Sequence, residues 1–138
     1  MIPQFVDTNI FLRHLTKDDP QKARACFELF KKAERDEVAL TTSEAIIAEV
    51  VYVLSSKRTY NLSHDTIKKC LYPLLSLKGF KLPRQRVYLR ALELYGSYKM
   101  DFEDCLSLAH MERQQLKEIY SYDQDFDQVK NVKRIEPS

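Results

Sequence analysis

FVDTNI, residues 5–10, begins as an apolar strand and stops at Asp7; Thr8, Asn9 and the apolar IFL of residues 10–12 then read as the start of a helix. A short strand that turns at once into a helix is the opening of an α/β fold. It also poses a chemical question. Asp7 is either the N-cap of that helix or one corner of a charged pocket, because ligands of open α/β sheets bind beyond the carboxyl ends of the strands.

Outward from this stretch, PQFV is the strand and Thr8 to Leu15 the helix. TKDDPQKARACFELFKKAER (16–35) is a second helix, with Asp18 or Asp19 as cap, Pro20 in the first turn, and Ala23, Phe27 and Phe30 at helical spacing. EVALTT (37–42) is a strand. SEAIIAEVVYVLSSKR (43–58) is a helix whose entry, Thr41-x-x-Glu44, fits a capping box. After the loop TYNLS (59–63) a helix runs from His64 to Leu77, and KGFKLP (78–83) is a turn with a short strand. RQRVYLRALELYGSYK (84–99) and DFEDCLSLAHMERQQL (101–116) are helical, KEIYSY (117–122) is a strand, DQDFDQV (123–129) a helical turn and NVKRI (131–135) the last strand. Strands alternating with helices predict one α/β domain, residues 1–138, around a mostly parallel central sheet. The chain is long enough for a full core.

A net charge of +2 is too small to mark a nucleic-acid binder. Its distribution says more: Lys78, Lys81, Arg84, Arg86 and Arg90 fall in a run of residues 78–90 without an acid. Such a run either tracks phosphates or forms a solvated helix face. Cys26, Cys70 and Cys105 are odd in number and lack a CxxC pair, which predicts free thiols in a reducing compartment. MIPQFVD has no basic and apolar signal regions, and AIIAEVVYVL (45–54) is too short to span a bilayer and contains Glu49. A cytoplasmic protein is expected, with no membrane partner.

Helical periodicity isolates particular carboxylates. Ile46, Ile47, Val50, Val51, Val53 and Leu54 fill one apolar arc with Glu49 at its edge, while Glu44 is accounted for by capping. Phe102, Cys105, Leu106, Leu108, Ala109 and Met111 form a second arc, and Asp104 falls inside it. An acid on a buried face needs an arginine, a set of backbone amides or a metal ion to compensate it. Asp7, Glu49, Asp104 and Asp123 therefore stand out together, with Asp101 and Asp125 as auxiliary acids. Each has a plainer structural reading as a cap or a surface charge; as a set they are harder to dismiss. His14, His64 and His110 have no zinc-ligand spacing, and oxygen ligands without imidazole or thiolate favour Mg²⁺ or Mn²⁺. A divalent ion relieves carboxylate repulsion and serves phosphodiester hydrolysis. GxxxxGK[ST], GxGxxG and GxSxG are all absent. A phosphatase of the HAD type needs a second Asp two residues after the first, where this chain has Asn9.

FVDTNIFLRHL…DDP, SEAIIAEVVYVL, DFEDCLSLAHM and YSYDQDF, in this order, resemble the PIN-domain ribonucleases, and most of all the VapC-type toxins of toxin–antitoxin modules. The resemblance runs from Phe5 to about Phe126. It implies a PIN-like three-layer α/β/α sandwich that cuts single-stranded or loop RNA with Mg²⁺ or Mn²⁺. It matches Asp7 to the acid after the first strand, Glu49 to that of the xExxxVL helix, Asp104 to that of the DxxLxxA helix and Asp123 to that after the late strand; Asp125 is the alternative for the last. Thr8 and Asn9 would hold the groove by hydrogen bonds, and Ser121 stands near the family's usual hydroxyl. The likeness further implies an antitoxin of the VapB type as partner, homodimerisation, and RNA guided by Lys81, Arg84 and Arg86. A PIN nuclease of RNA maturation and a non-catalytic binding module are the competing readings. Phe11, Tyr52 and Tyr60 are candidates for stacking on bases or for the core.

Overall fold

The first strand and the helix behind it form as the opening residues predict. In the computed structural model, which describes residues 1–138, β1 is Gln4–Phe5 and α1 is Thr8–Thr16. There follow α2 (Pro20–Glu34), β2 (Leu40–Thr41), α3 (Glu44–Ser55), α4 (His64–Leu75), α5 (Gln85–Ser97), α6 (Phe102–Gln114), β3 (Glu118–Tyr120), a 3₁₀ turn (Gln124–Gln128) and β4 (Lys133–Ile135). The fold is α/β, and every strand pair is parallel.

The sheet is more divided than the alternation of elements suggests. β1 pairs with β2 and β3 with β4, as two separate two-stranded ladders. Phe80 extends the first through a parallel bridge to Leu40, which realises the short strand expected in KGFKLP. Gly79 makes that bridge possible. Its N–H donates to Ala33 O at 2.8 Å and its carbonyl accepts from Leu40 N at 2.7 Å. A Cβ there would meet the Val38 carbonyl and come within 2.7 Å of Ala33 O, both backbone atoms that cannot step aside.

Local signals set the helix starts. Asp19 caps α2, accepting from Lys22 N at 3.1 Å with Pro20 behind it, and Ser63 caps α4. The cap of α3 differs from the expected capping box: Ser43, not Thr41, accepts from Ile46 N at 3.2 Å. Thr41 is occupied as the last residue of β2, so the helix opens two residues later.

One core of 30 buried residues runs through the molecule, from Val6 to Phe126. Phe11, Phe30 and Phe80 pack ring to ring at 5.9–6.3 Å, tying α1, α2 and the β2 edge together. Phe11 is thus core. Phe27 departs from the inward face expected of it, lying 45% exposed and stacked on His14. Cys26 and Cys105 are buried free thiols and Cys70 a half-buried one. No helix is long and apolar enough to cross a membrane.

Candidate metal centre

Asp7 sits where the chain leaves β1, and its backbone is held on both sides. Val6 N donates to Thr41 O at 2.8 Å, and the buried Thr42 hydroxyl donates to Val6 O at 2.7 Å. Asp7 O accepts from Ile10 N at 3.1 Å, starting α1. Asp7 occupies the N-cap position, yet its carboxylate makes no capping bond. The side chain is exposed and uncommitted.

Thr8 is buried, and its hydroxyl donates to Glu49 Oε2 at 2.7 Å. This bond fixes the α3 carboxylate against the start of α1. Glu49 itself lies on the exposed side of α3, whose buried face is Ile47, Val50, Val51 and Leu54. Asn9 is exposed and its side chain makes no hydrogen bond, so only Thr8 of the expected pair makes such a contact.

Asp104 is on the first turn of α6, half-buried among Phe102, Cys105 and Leu108. Neither an arginine nor a set of amides compensates it; its carboxyl has no ion pair and no hydrogen bond. Burial, followed by the charges of Asp123, Asp101 and Asp125, pushes it up to about 6. Asp104, Asp123 and Asp125 each place a carboxylate oxygen within 4.8 Å of the others. Asp123 and Asp125, the two alternatives for the late acid, thus both lie beside Asp104.

The late acids are set by the turn after β3. Arg134 on β4 donates to Ser121 O at 3.1 Å and pairs with Asp127 and Glu136. The Ser121 hydroxyl accepts from Asp123 N at 3.0 Å, and Asp123 Oδ1 accepts from Asp125 N at 2.9 Å. Asp123 therefore caps the 3₁₀ turn, as its plain reading held, and this same turn brings Asp125 beside it. Asp101 stands at the N-cap of α6 without a capping bond, exposed, and lines with Asp125 and Lys99 a cleft of about 620 Å³.

Two groups of acids result: Asp104, Asp123 and Asp125 on one side, Asp7 with the Thr8-braced Glu49 on the other. Asp7 and Glu49 lie outside the trio. β1 and β3, which precede Asp7 and Asp123 by two and three residues, each pair with a different partner rather than with one another. α3 bridges the groups, packing against both α1 and α6.

Sequence reasoning missed His110 as the partner of Glu44 and Tyr122 as an exposed ring, while Tyr52, Tyr60 and Lys81 are among its candidates. His110 Nε2 lies 2.7 Å from Glu44 Oε1 and staples α6 to α3, so Glu44 serves that contact rather than a capping box. Tyr52, one turn beyond Glu49, is 68% exposed, and Tyr122, beside Asp123, is 70% exposed; Tyr60 instead bonds Asp18. Lys81 turns to Asp36 at 3.5 Å and to Lys78 O, away from the cleft that holds Arg84 and Arg86. The largest cleft, about 860 Å³, lies between α5, the end of α6 and residues 129–132, and no site acid lines it.

Among known proteins, the PIN domain family profile matches residues 5–132, which include all of these acids. No curated protein matches the chain. With a match over nearly its whole length and parallel α/β architecture, the chain belongs to the PIN domain family, whose fold is that of nucleases that generally use divalent metal.

Proposed function

We propose that this chain is a metal-dependent endoribonuclease that cuts single-stranded or loop RNA, the toxin of a VapBC-type module. The observation that carries the reading is the trio Asp104, Asp123 and Asp125, gathered within 4.8 Å without any cationic partner. An all-carboxylate set of this kind fits a hard divalent cation, Mg²⁺ or Mn²⁺.

Asp104, Asp123 and Asp125 would hold the ion, with Asp7 and Glu49 as the further acids of the site. When bound, it supplies charge neutralisation for a phosphodiester and lowers the pKa of a coordinated water. The protein does the positioning. Thr8 keeps one Glu49 oxygen directed toward α1, leaving the other for a ligand. Ser121 and the Asp123–Asp125 turn hold two acids at fixed spacing before any ion arrives, which lowers the ordering cost of binding it. Asp104 prefers its proton below about 6, so the trio reaches full charge only above that pH. Tyr52 and Tyr122 offer exposed faces beside the acids on which unpaired bases can stack.

The VapC assignment rests on the likeness of FVDTNIFLRHL and YSYDQDF to those toxins. It carries with it a VapB-type antitoxin that covers the acids, and a homodimer. The test is cleavage of a labelled unstructured RNA in Mn²⁺, Mg²⁺ or EDTA, with Asp104→Asn beside the wild type. Cutting that needs the ion and disappears in the variant is expected. No cutting, with no calorimetric sign of Mn²⁺ binding, would leave a binding module instead. Growth arrest on expression, relieved by Asp104→Asn, would separate a toxin from an RNA-maturation nuclease.

A further inference from the structure

The basic run of residues 78–90 does not surround the acids. Its arginines turn instead into a cleft of about 650 Å³ between the start of α5 and the later turns of α6. Arg84, Arg86 and Arg90 enter from α5, and Arg113 joins them from α6. Arg90 is already committed. It forks onto both Glu112 oxygens at 2.8 and 3.0 Å, which ties the two helices together and sets the width of the cleft. Arg84, Arg86 and Arg113 are exposed and have no acidic partner. Three unneutralised guanidiniums converge there, although each could have been separately solvated elsewhere.

Arg113 stands nine residues beyond Asp104 on α6, about 14 Å along the axis and half a turn around it. The cleft is therefore a place distinct from the acid trio. Arg84 is the N-cap residue of α5, so its charge stands at the end of that helix nearest Arg86.

We infer that Arg84, Arg86 and Arg113 form a second RNA site, a phosphate cleft that grips the backbone away from the acids. It rests on RNA being the ligand of this chain. Two features favour RNA over an acidic protein. All the cations are arginines, whose planar fork matches phosphate oxygens in pairs. The lining has only two hydrophobic residues, Val87 and Ala109, too few for the apolar centre of a protein interface and ordinary for a polar, positive nucleic-acid one.

The test is fluorescence anisotropy of a labelled unstructured RNA on the full chain, in EDTA, over a salt series. Binding without metal keeps the measurement independent of cleavage. Arg84→Gln/Arg86→Gln/Arg113→Gln should weaken binding roughly tenfold or more, and should flatten the slope of log K against log salt by about 2, three phosphates at ~0.7 each. A control that removes the same charge from α2, Lys22→Gln/Arg24→Gln/Lys32→Gln, should leave both nearly unchanged. Arg84→Lys/Arg86→Lys/Arg113→Lys should restore the slope. The cleft is overturned if the glutamine triple binds like wild type, if the α2 triple loses as much, or if the lysine triple keeps the flattened salt slope of the glutamine one. Retained RNA binding with lost binding of poly-glutamate would reassign it to an acidic protein, and so also overturn it. Wild type that binds RNA through this cleft but cuts nothing in Mn²⁺ or Mg²⁺ would sink the nuclease reading and leave the cleft standing.

Discussion

Asp104→Asn separates electrostatic cost from structural need more cleanly than any other substitution in the molecule. The wild-type carboxyl is half-buried beside Asp123 and Asp125, and is raised from 3.8 to about 6. Two units correspond to ~3 kcal/mol, which partial solvent access screens to about 1–2 kcal/mol. The sign follows from linkage. The native state holds the proton more tightly than the unfolded chain, so the group is best tolerated below pH 3.8, and its penalty grows as pH rises to about 6. Asparagine keeps the shape and never ionises. In EDTA at pH 8 the variant should therefore melt ~4–7 °C above wild type, and at pH 4 the two should coincide. Added Mn²⁺ should reverse the order, because an ion at 100 times its dissociation constant adds about 2.7 kcal/mol to whichever protein binds it. Thermal unfolding by circular dichroism at pH 8, 6 and 4, with and without Mn²⁺, reads all of this. A variant less stable than wild type at pH 8 in EDTA would refute the electrostatic reasoning. Equal Mn²⁺ stabilisation of both proteins would place the ion elsewhere.

Other perturbations address single contacts. Thr8→Val removes the donor to Glu49 and should cost about 1.5 kcal/mol in denaturant unfolding, along with most RNA cleavage, while Thr8→Ser retains both. Buried His14 Nδ1 has no partner and sits against Phe27 and Phe30. His14→Phe should thus stabilise by about 1 kcal/mol at pH 7, and loss of stability would mean that the ring nitrogen matters. Burial and Lys17 hold His14 below its ordinary 6.5, so this gain should widen as pH falls beneath 6.5, where the unfolded histidine takes up a proton that the native one resists. Gly79→Ala forces Cβ against two backbone carbonyls and should cost about 2–3 kcal/mol; a near-neutral urea midpoint would show that the β2 edge relaxes freely.

The elements most legible from sequence were those whose information is local. Asp19-Pro20 announced α2, and the apolar arcs announced α3 and α6, because capping and periodicity act within a few residues. Asp104 was legible for the same reason, as an acid where its helix needed an apolar residue. What depends on which surfaces meet was hidden. Nothing near Arg113 shows that it will share a cleft with Arg84 and Arg86 across two helices. Glu44 satisfied a capping pattern on paper, but the packing of α6 against α3 gave it His110. Strand alternation likewise gives parallel pairing without saying which strands touch, so the two ladders looked like one sheet.

Helix caps bear on the question that Asp7 raises. α2, α3, α4 and the 3₁₀ turn each use a side-chain oxygen to satisfy a first-turn amide, from Asp19, Ser43, Ser63 and Asp123. α1 and α6 also have an aspartate at the N-cap, Asp7 and Asp101, and neither carboxylate makes the bond. Each omission forgoes ~1 kcal/mol that the residue type was suited to supply. These are the two helices whose starts adjoin the acids: α1 carries Thr8, which braces Glu49, and α6 carries Asp104. Uncapped N-termini leave positive dipole ends facing a region crowded with carboxylates, which makes that crowding less costly. The unused carboxylates remain available for a ligand. α5 is uncapped too, but its N-cap is Arg84, which has no side-chain oxygen to offer. Where the N-cap residue can accept a bond, the chain declines only at Asp7 and Asp101, the pattern expected when local stability gives way to a site. This supports the proposal of Asp7 as a site acid rather than a cap.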